Sequence, residues 1–108
     1  MSFSTVLVTF PDLGTAHSIC RTLIERRLAA CANLLDSKSI YSWRGDIEEA
    51  AEVVALLKTR TEDFEAIREF IISEHPYEVP CIVRYDIAKG ERSYLDLIRE
   101  STERPQED

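Results

Sequence analysis

The feature that most limits the fold is the regular succession of strand-like and helix-like segments along a short chain. Residues 4–10 are rich in β-branched and aromatic side chains and stop at Pro11, as a strand bounded by a turn does. Residues 13–28 then place apolar side chains at the i, i+3, i+4, i+7 spacing of an amphipathic helix. A strand followed by a helix must be layered, with the helix packed on a sheet.

The segment 46–59 is the ambiguous part of the pattern. Its many Ala, Glu and Leu residues favour a helix, and Ile47, Ala50 and Val54 fit the helical spacing. The turn at Arg44-Gly45-Asp46 and the β-rich stretch 53–59 favour instead a strand that folds back on the preceding segment as a hairpin. Propensity and turn signals therefore do not decide between a helix and a strand for this segment.

With segment 46–59 taken as a strand, the order becomes two successive strand-helix-strand units. The predicted strands are 4–10, 29–43, 46–59 and 79–88, and the predicted helices are 13–28, 61–75 and 93–101. Pro76 sets the end of the second helix, because proline disfavours helical backbone in the residue before it. This order predicts an α+β protein, a split βαβ sandwich of the ferredoxin-like type with an antiparallel sheet.

Composition restricts the class of protein. The 108 residues suit one domain, 1–108, with a polar tail at 102–108 that we expect to be frayed. Twenty acidic and 13 basic residues give a net charge of −7, which opposes binding to nucleic acid or to anionic membrane surfaces. No apolar run is long enough to span a bilayer, and no secretory signal is recognisable.

The cysteines and histidines predict neither a disulfide framework nor a preformed transition-metal motif. Cys20, Cys31 and Cys81 are odd in number and sit in apolar runs, which indicates buried reduced thiols and a cytoplasmic location. His17 and His75 form no CxxC, HxH or HExxH pattern with them. No nucleophile-base pair is apparent either, so we predict that the protein is not an enzyme.

Short motifs spread over residues 5–98 resemble one family, the CutA divalent-cation tolerance proteins. They are Thr9-Phe10-Pro11-Asp12, Leu28-Ala29-Ala30-Cys31-Ala32-Asn33, Ser39-Ile40-Tyr41-Ser42-Trp43-Arg44-Gly45-Asp46-Ile47-Glu48-Glu49, Glu52, Lys58-Thr59, His75-Pro76-Tyr77-Glu78-Val79-Pro80, and Gly90 followed by Tyr94-Leu95. No single block is specific, but their combination at these separations is. The resemblance implies that segment 46–59 is a strand.

The resemblance also implies an assembly and a function. The long central strands of the protein are expected to extend beyond one chain and to form a homotrimer similar in design to the PII signalling proteins. The implied function is divalent-cation tolerance, with binding of a divalent ion such as Cu(II). The alternative is a PII-like signalling or scaffold trimer that binds a small metabolite or a protein partner in a cleft between subunits.

Candidate site residues follow from the same motifs, each with a structural alternative. We predict a cleft between subunits formed by Trp43, Glu52, Lys58, Tyr77 and Glu78, with His75 as a metal ligand, since imidazole and carboxylate suit copper or zinc. The structural alternatives are that His75 ends a helix, that Trp43 packs in the hairpin, and that the glutamates and Lys58 form surface ion pairs.

Two positions of the sequence argue against a copper site of the kind known in the family. Bacterial copper-linked members of the family are expected to carry a cysteine on the first strand and a second histidine before the Pro-Tyr pair. Val8 and Glu74 occupy those places here, so only His75 of that set is present.

Overall fold

A computed structural model describes residues 1–105 and divides them into four strands, three helices and one short 3-10 turn. The elements are β1 (Phe3–Phe10), α1 (Leu13–Glu25), β2 (Cys31–Trp43), β3 (Asp46–Arg60), the 3-10 turn (Thr61–Asp63), α2 (Phe64–Glu74), β4 (Ile82–Asp86) and α3 (Arg92–Ser101). No helix in the described part of the chain is both long and apolar enough to cross a membrane.

The four strands form one antiparallel sheet in the order β2-β3-β1-β4. Alternate residues of β1, namely Val6, Val8 and Phe10, are fully buried against the helices. The apolar faces of α1 and α2 complete this core, with Leu23 and Ile71 among its buried members. The predicted split βαβ, ferredoxin-like α+β fold is therefore confirmed.

Segment 46–60 is a strand, because its tertiary pairing outweighs its helical propensity. β3 pairs with β1 on one side over residues 53–60 and with β2 on the other over residues 46–58. Val53, Ala55, Leu57 and Thr59 alternate toward the core and are buried. A helix would lose both ladders and this alternation.

The β2-β3 hairpin extends as a two-stranded ribbon beyond the rest of the sheet. β1 reaches only as far as Val53, so residues 37–43 and 46–52 pair with each other alone. Apolar side chains on this ribbon lie in the open, with Ile40 and Ile47 exposed by 71% and 79%. Its two-residue turn has positive φ at both Arg44 (51°) and Gly45 (88°), as the right-handed twist of a hairpin requires.

Gly45→Ala is expected to lower the free energy of unfolding by about 1 kcal/mol. A Cβ at Gly45 would meet nothing within 4 Å, so the loss comes from the backbone conformation alone. Urea unfolding at matched chain concentration measures it. Gly14→Ala, in the first turn of α1, is the control and should be neutral or stabilising; equal effects of the two changes would contradict this explanation.

Several predicted boundaries need correction. Helix α1 ends at Glu25 instead of 28, because Arg27 adopts a left-handed conformation (φ 59°) and the Leu28 amide closes back on the Leu23 carbonyl. Strand β2 begins two residues late, at Cys31, and β3 runs one residue longer, to Arg60.

The second half of the chain shows similar differences. Helix α2 begins at Phe64, after the 3-10 turn, and His75 at its end is already extended (φ −80°, ψ 134°) because Pro76 follows. Strand β4 covers only Ile82–Asp86 instead of 79–88, since Pro80 offers no amide for pairing. Helix α3 starts one residue early, at Arg92.

The start of the predicted frayed tail is packed. Thr102 is fully buried, and its hydroxyl accepts a hydrogen bond from the Arg60 Nε at 2.8 Å. Arg104 binds the buried Asp63 carboxylate through Nη2 at 2.7 Å. The expectation of fraying is wrong for these two residues, and positions 106–108 lie outside the described residues.

Candidate functional site

A cavity of about 610 Å³ lies where the ribbon meets the segment between α2 and β4. Its lining combines aromatic side chains (Tyr41, Trp43, Tyr77), carboxylates (Glu52, Glu78), hydroxyls (Thr9, Ser39, Ser42), two aliphatic side chains (Ile40, Val79) and Cys81. Four of the predicted site residues, Trp43, Glu52, Tyr77 and Glu78, thus come together. His75 and Lys58 do not line it.

Glu52 is the buried acidic group of the cavity, with 8% of its surface exposed. Its Oε2 accepts a hydrogen bond of 2.8 Å from the Tyr77 hydroxyl. Burial, this hydrogen bond and the nearby carboxylate charge raise the pKa of Tyr77 to about 12. Tyr77 therefore remains a neutral hydroxyl donor at physiological pH, and it holds the Glu52 carboxylate in place.

Glu78 connects the tip of the ribbon to the other wall. Its Oε2 lies 2.7 Å from the Arg44 Nη2, and the Arg44 guanidinium lies 5.0 Å from the ring centroid of Trp43. Both side chains of the ion pair are more than two thirds exposed, so its contribution to stability is small. Through Arg44, the pair links Trp43 on the ribbon to Glu78 on the other side of the cavity.

His75 lies outside the cavity lining and contacts two of the lining residues, Thr9 and Tyr77. Its Nε2 lies 2.7 Å from the Thr9 carbonyl oxygen, which can only accept, and its Nδ1 lies 3.1 Å from the Tyr77 amide, which can only donate. The ring is therefore the neutral tautomer protonated at Nε2. It also stacks on Phe10, with ring centroids 5.0 Å apart. Neither nitrogen offers a free lone pair to a metal ion in this conformation.

Lys58 lies in a different part of the sheet. It is six residues from Glu52 on β3, which corresponds to about 20 Å along the strand. Its Nζ donates to the Asn33 side-chain oxygen at 2.6 Å, and its neighbour across the strand pair is Cys31. Within one chain, Lys58 therefore lies apart from the cavity that Glu52 lines, and its place in a cleft between subunits stays a prediction.

The described residues contain no cluster of three or more His, Cys, Asp or Glu side chains arranged to hold a metal ion. The expectation of buried thiols is correct for Cys20 only: Cys31 is partly exposed, with its Sγ 3.0 Å from the Tyr94 hydroxyl, and Cys81 is exposed in the cavity. Burial raises the pKa of Cys20 to about 11, which makes it an inert core thiol.

Sequence reasoning missed several residues of the cavity. Ser39 and Tyr41 lie four and two residues before Trp43, so strand alternation was a usable signal that they share its face. Thr9 and Cys81 gave no such signal. They reach the cavity only because the sheet places the end of β1 beside the segment that precedes β4.

Comparison with known proteins gives a consistent assignment. Residues 4–101 match the family described as CutA1 divalent ion tolerance protein. The divalent-cation tolerance protein CutA of Pyrococcus horikoshii is 43% identical over 99 residues, which are 92% of this chain and 97% of that one. The human protein CutA is 41% identical over 103 residues, which cover 94% of this chain and 58% of the human one.

Solved structures agree with the sequence matches. The periplasmic divalent cation tolerance protein CutA of Archaeoglobus fulgidus superposes with a TM-score of 0.92 at 38% identity, over 94% of this chain and 99% of that one. The fold is thus shared with archaeal relatives that are 38% and 43% identical over nearly their whole length. The chain belongs to the CutA1 divalent ion tolerance protein family.

Proposed function

We propose that this protein acts in divalent-cation tolerance as a non-enzymatic homotrimer. The names of its relatives from Pyrococcus horikoshii and Archaeoglobus fulgidus support the tolerance function. The observation that carries a cation-binding role is the buried Glu52 carboxylate in the cavity, with Glu78 on the same lining. A net charge of −7 per chain also raises the local concentration of cations.

The trimer is supported by surfaces that a single chain leaves uncovered. The face of the sheet opposite α1 and α2, here called the open face, carries the apolar side chains Leu7, Leu35, Val54, Leu56, Val83 and Tyr85. An isolated two-stranded ribbon is also marginally stable in water. Closed symmetric association would cover both surfaces.

The residues present suit a weakly held, hydrated ion rather than a tight copper site. Glu52 and Glu78 offer oxygen ligands of the kind that hard divalent ions accept while they keep several waters. A copper site would need an imidazole or thiolate partner. His75 would first have to release both of its hydrogen bonds.

Isothermal titration with Cu(II), Zn(II) and Cd(II) tests the metal function. We expect weak binding that is lost in Glu52→Gln, which keeps an acceptor for Tyr77 but removes the charge, and retained in Glu69→Gln on the exposed side of α2. A Cys81→Ser variant shows whether the thiol contributes to the binding of any of these ions. Absence of binding tighter than millimolar, or equal binding by the Glu52 and Glu69 variants, would refute the metal site.

The volume and aromatic lining of the cavity favour a second candidate function, a PII-like trimer that holds a small metabolite. About 610 Å³ is within the range of small-molecule sites and far exceeds the space one ion needs. A thermal-shift comparison separates the two functions, since the metal function predicts stabilisation by ions and the second predicts stabilisation by organic ligands.

We also propose a cytoplasmic location, in keeping with the three free cysteines of the described chain. The Archaeoglobus fulgidus relative is called periplasmic, so fractionation of the tagged protein is the direct test.

A further inference from the structure

We infer that Glu52 of one subunit forms an ion pair with Lys58 of the partner subunit, so that a second copy of the chain completes the site around Glu52. The inference rests on the proposed homotrimer and deepens the proposed cation site, because it gives the Glu52 carboxylate a resident counter-charge. A divalent ion would have to displace this ammonium group to reach the carboxylate.

Glu52 is a buried carboxylate whose partner in its own chain is not a cation. Only 8% of its surface is exposed, and its partner among the described residues is the neutral hydroxyl of Tyr77. The other buried carboxylate of the described chain, Asp63, is paired with Arg104. A buried carboxylate that meets only a neutral donor gains most from a cationic partner.

Lys58 is the matching cation. It is half-buried, and its Nζ donates to the neutral side-chain oxygen of Asn33 at 2.6 Å. The other half-buried cations of the described residues lie 3.0 Å or less from a carboxylate oxygen, namely Arg68, Arg99 and Arg104. Lys58 differs from them because its partner is an amide and not a carboxylate.

Glu52 and Lys58 share a face of β3 but cannot meet within one chain. Alternation along the strand places both on the open face, with Val54 and Leu56 between them. Their separation of six residues corresponds to about 20 Å along the strand, which exceeds the combined reach of the two side chains. The pair can therefore form only between copies.

A closed ring of three copies brings such distant positions together. Each copy contacts its two neighbours through two different patches, so opposite ends of one face meet across a subunit boundary. Glu52 is the first residue of β3 beyond the reach of β1, at the base of the ribbon that extends past its own sheet. Covering the open face removes water from both charges, and each would then be strongly destabilising without the other.

A double-mutant cycle on the full-length protein tests the pair. Sedimentation equilibrium gives the chain concentration at which half of the trimer has dissociated, for the parent, Glu52→Gln, Lys58→Met and the double variant. Each single change should raise this concentration by at least about tenfold, because it leaves the opposite charge buried without a partner. The double variant should dissociate no more readily than either single variant, because it leaves no charge unpaired.

Lys89→Met is the matched control, since Lys89 is exposed in the segment between β4 and α3. Combined with Glu52→Gln, it should add nothing to the effect of the glutamate change. Effects of Glu52→Gln and Lys58→Met that multiply in the double variant, or single variants that dissociate like the parent, would overturn the inference and leave the homotrimer standing. A monomeric parent would refute the homotrimer and the ion pair together.

Titration with Zn(II), at a concentration at which both proteins are trimeric, measures the consequence for the cation site. Lys58→Met should bind Zn(II) about tenfold more tightly than the parent, because no ammonium group competes for the Glu52 carboxylate. Equal affinities would contradict the ion pair. Absence of binding by both proteins would refute the metal function alone, since the sedimentation cycle measures the pair without any ion.

Discussion

Replacing His75 with alanine is expected to lower the free energy of unfolding by about 3 kcal/mol, since the ring makes two hydrogen bonds and a stacked contact, beside a tilted contact with the Tyr77 ring. Its Nε2–H donates to the Thr9 carbonyl, its Nδ1 accepts from the Tyr77 amide, and its ring stacks on Phe10. Each hydrogen bond contributes about 1 kcal/mol, and the stacked pair contributes a similar amount. Alanine removes all three and leaves the Thr9 carbonyl without its imidazole donor.

Chemical unfolding at fixed chain concentration measures the loss, because the stability of an oligomer depends on concentration. His75→Gln is the matched control: its amide can still donate toward Thr9, so we expect about half the loss. If His75 is instead a metal ligand, its replacement should affect Cu(II) binding and not the free energy of unfolding. Unchanged stability in His75→Ala together with abolished binding of Cu(II) would show that the ring serves the metal and that its contacts are incidental.

The sequence predicted the order of the elements because periodicity is a local property. Alternation in β1 and the helical spacing in α1 were readable from single segments, and both are present in the structure. Segment 46–60 was not decidable in this way. Its strand state depends on two partners, β1 and β2. The turn before it signalled β2 only, and the pairing with β1, more than 40 residues earlier in the chain, is outside what local propensity reflects.

The site shows the same limit at the level of side chains. The motifs predicted one cleft for five residues. Four of them, Trp43, Glu52, Tyr77 and Glu78, line one cavity of the chain, whereas Lys58 lies far along β3. The polar character of Lys58 is visible in sequence, whereas its distance from Glu52 is set by the length of an uninterrupted strand.

The role of His75 was hidden for a related reason. A histidine before a proline is compatible with a ligand and with a helix end, and only the positions of the Thr9 carbonyl and the Tyr77 amide distinguish them. The C-terminal residues are comparable. Thr102 and Arg104 look like tail residues until Arg60 and Asp63 are found beside them.

Leu35→Glu is expected to convert the assembly from three copies to one. Leu35 lies on the open face, directly across the β2-β3 pair from Val54, and 48% of its surface is exposed in a single chain. In a monomer a change at so exposed a position would shift the free energy of unfolding by about 0.5 kcal/mol or less. In the proposed trimer the new carboxylate would be buried without a partner in each subunit, and separation of the subunits relieves that penalty.

Ile72→Glu provides the control, because Ile72 is 49% exposed and lies on α2, on the opposite side of the sheet from the open face. Native mass spectrometry and sedimentation should therefore give three copies for the parent and for Ile72→Glu, and one copy for Leu35→Glu. Since the substitutions match in charge and in initial exposure, a difference between them locates the subunit contact on the open face. Trimeric masses for all three proteins would place the subunit contact elsewhere. A monomeric parent protein would refute the proposed trimer.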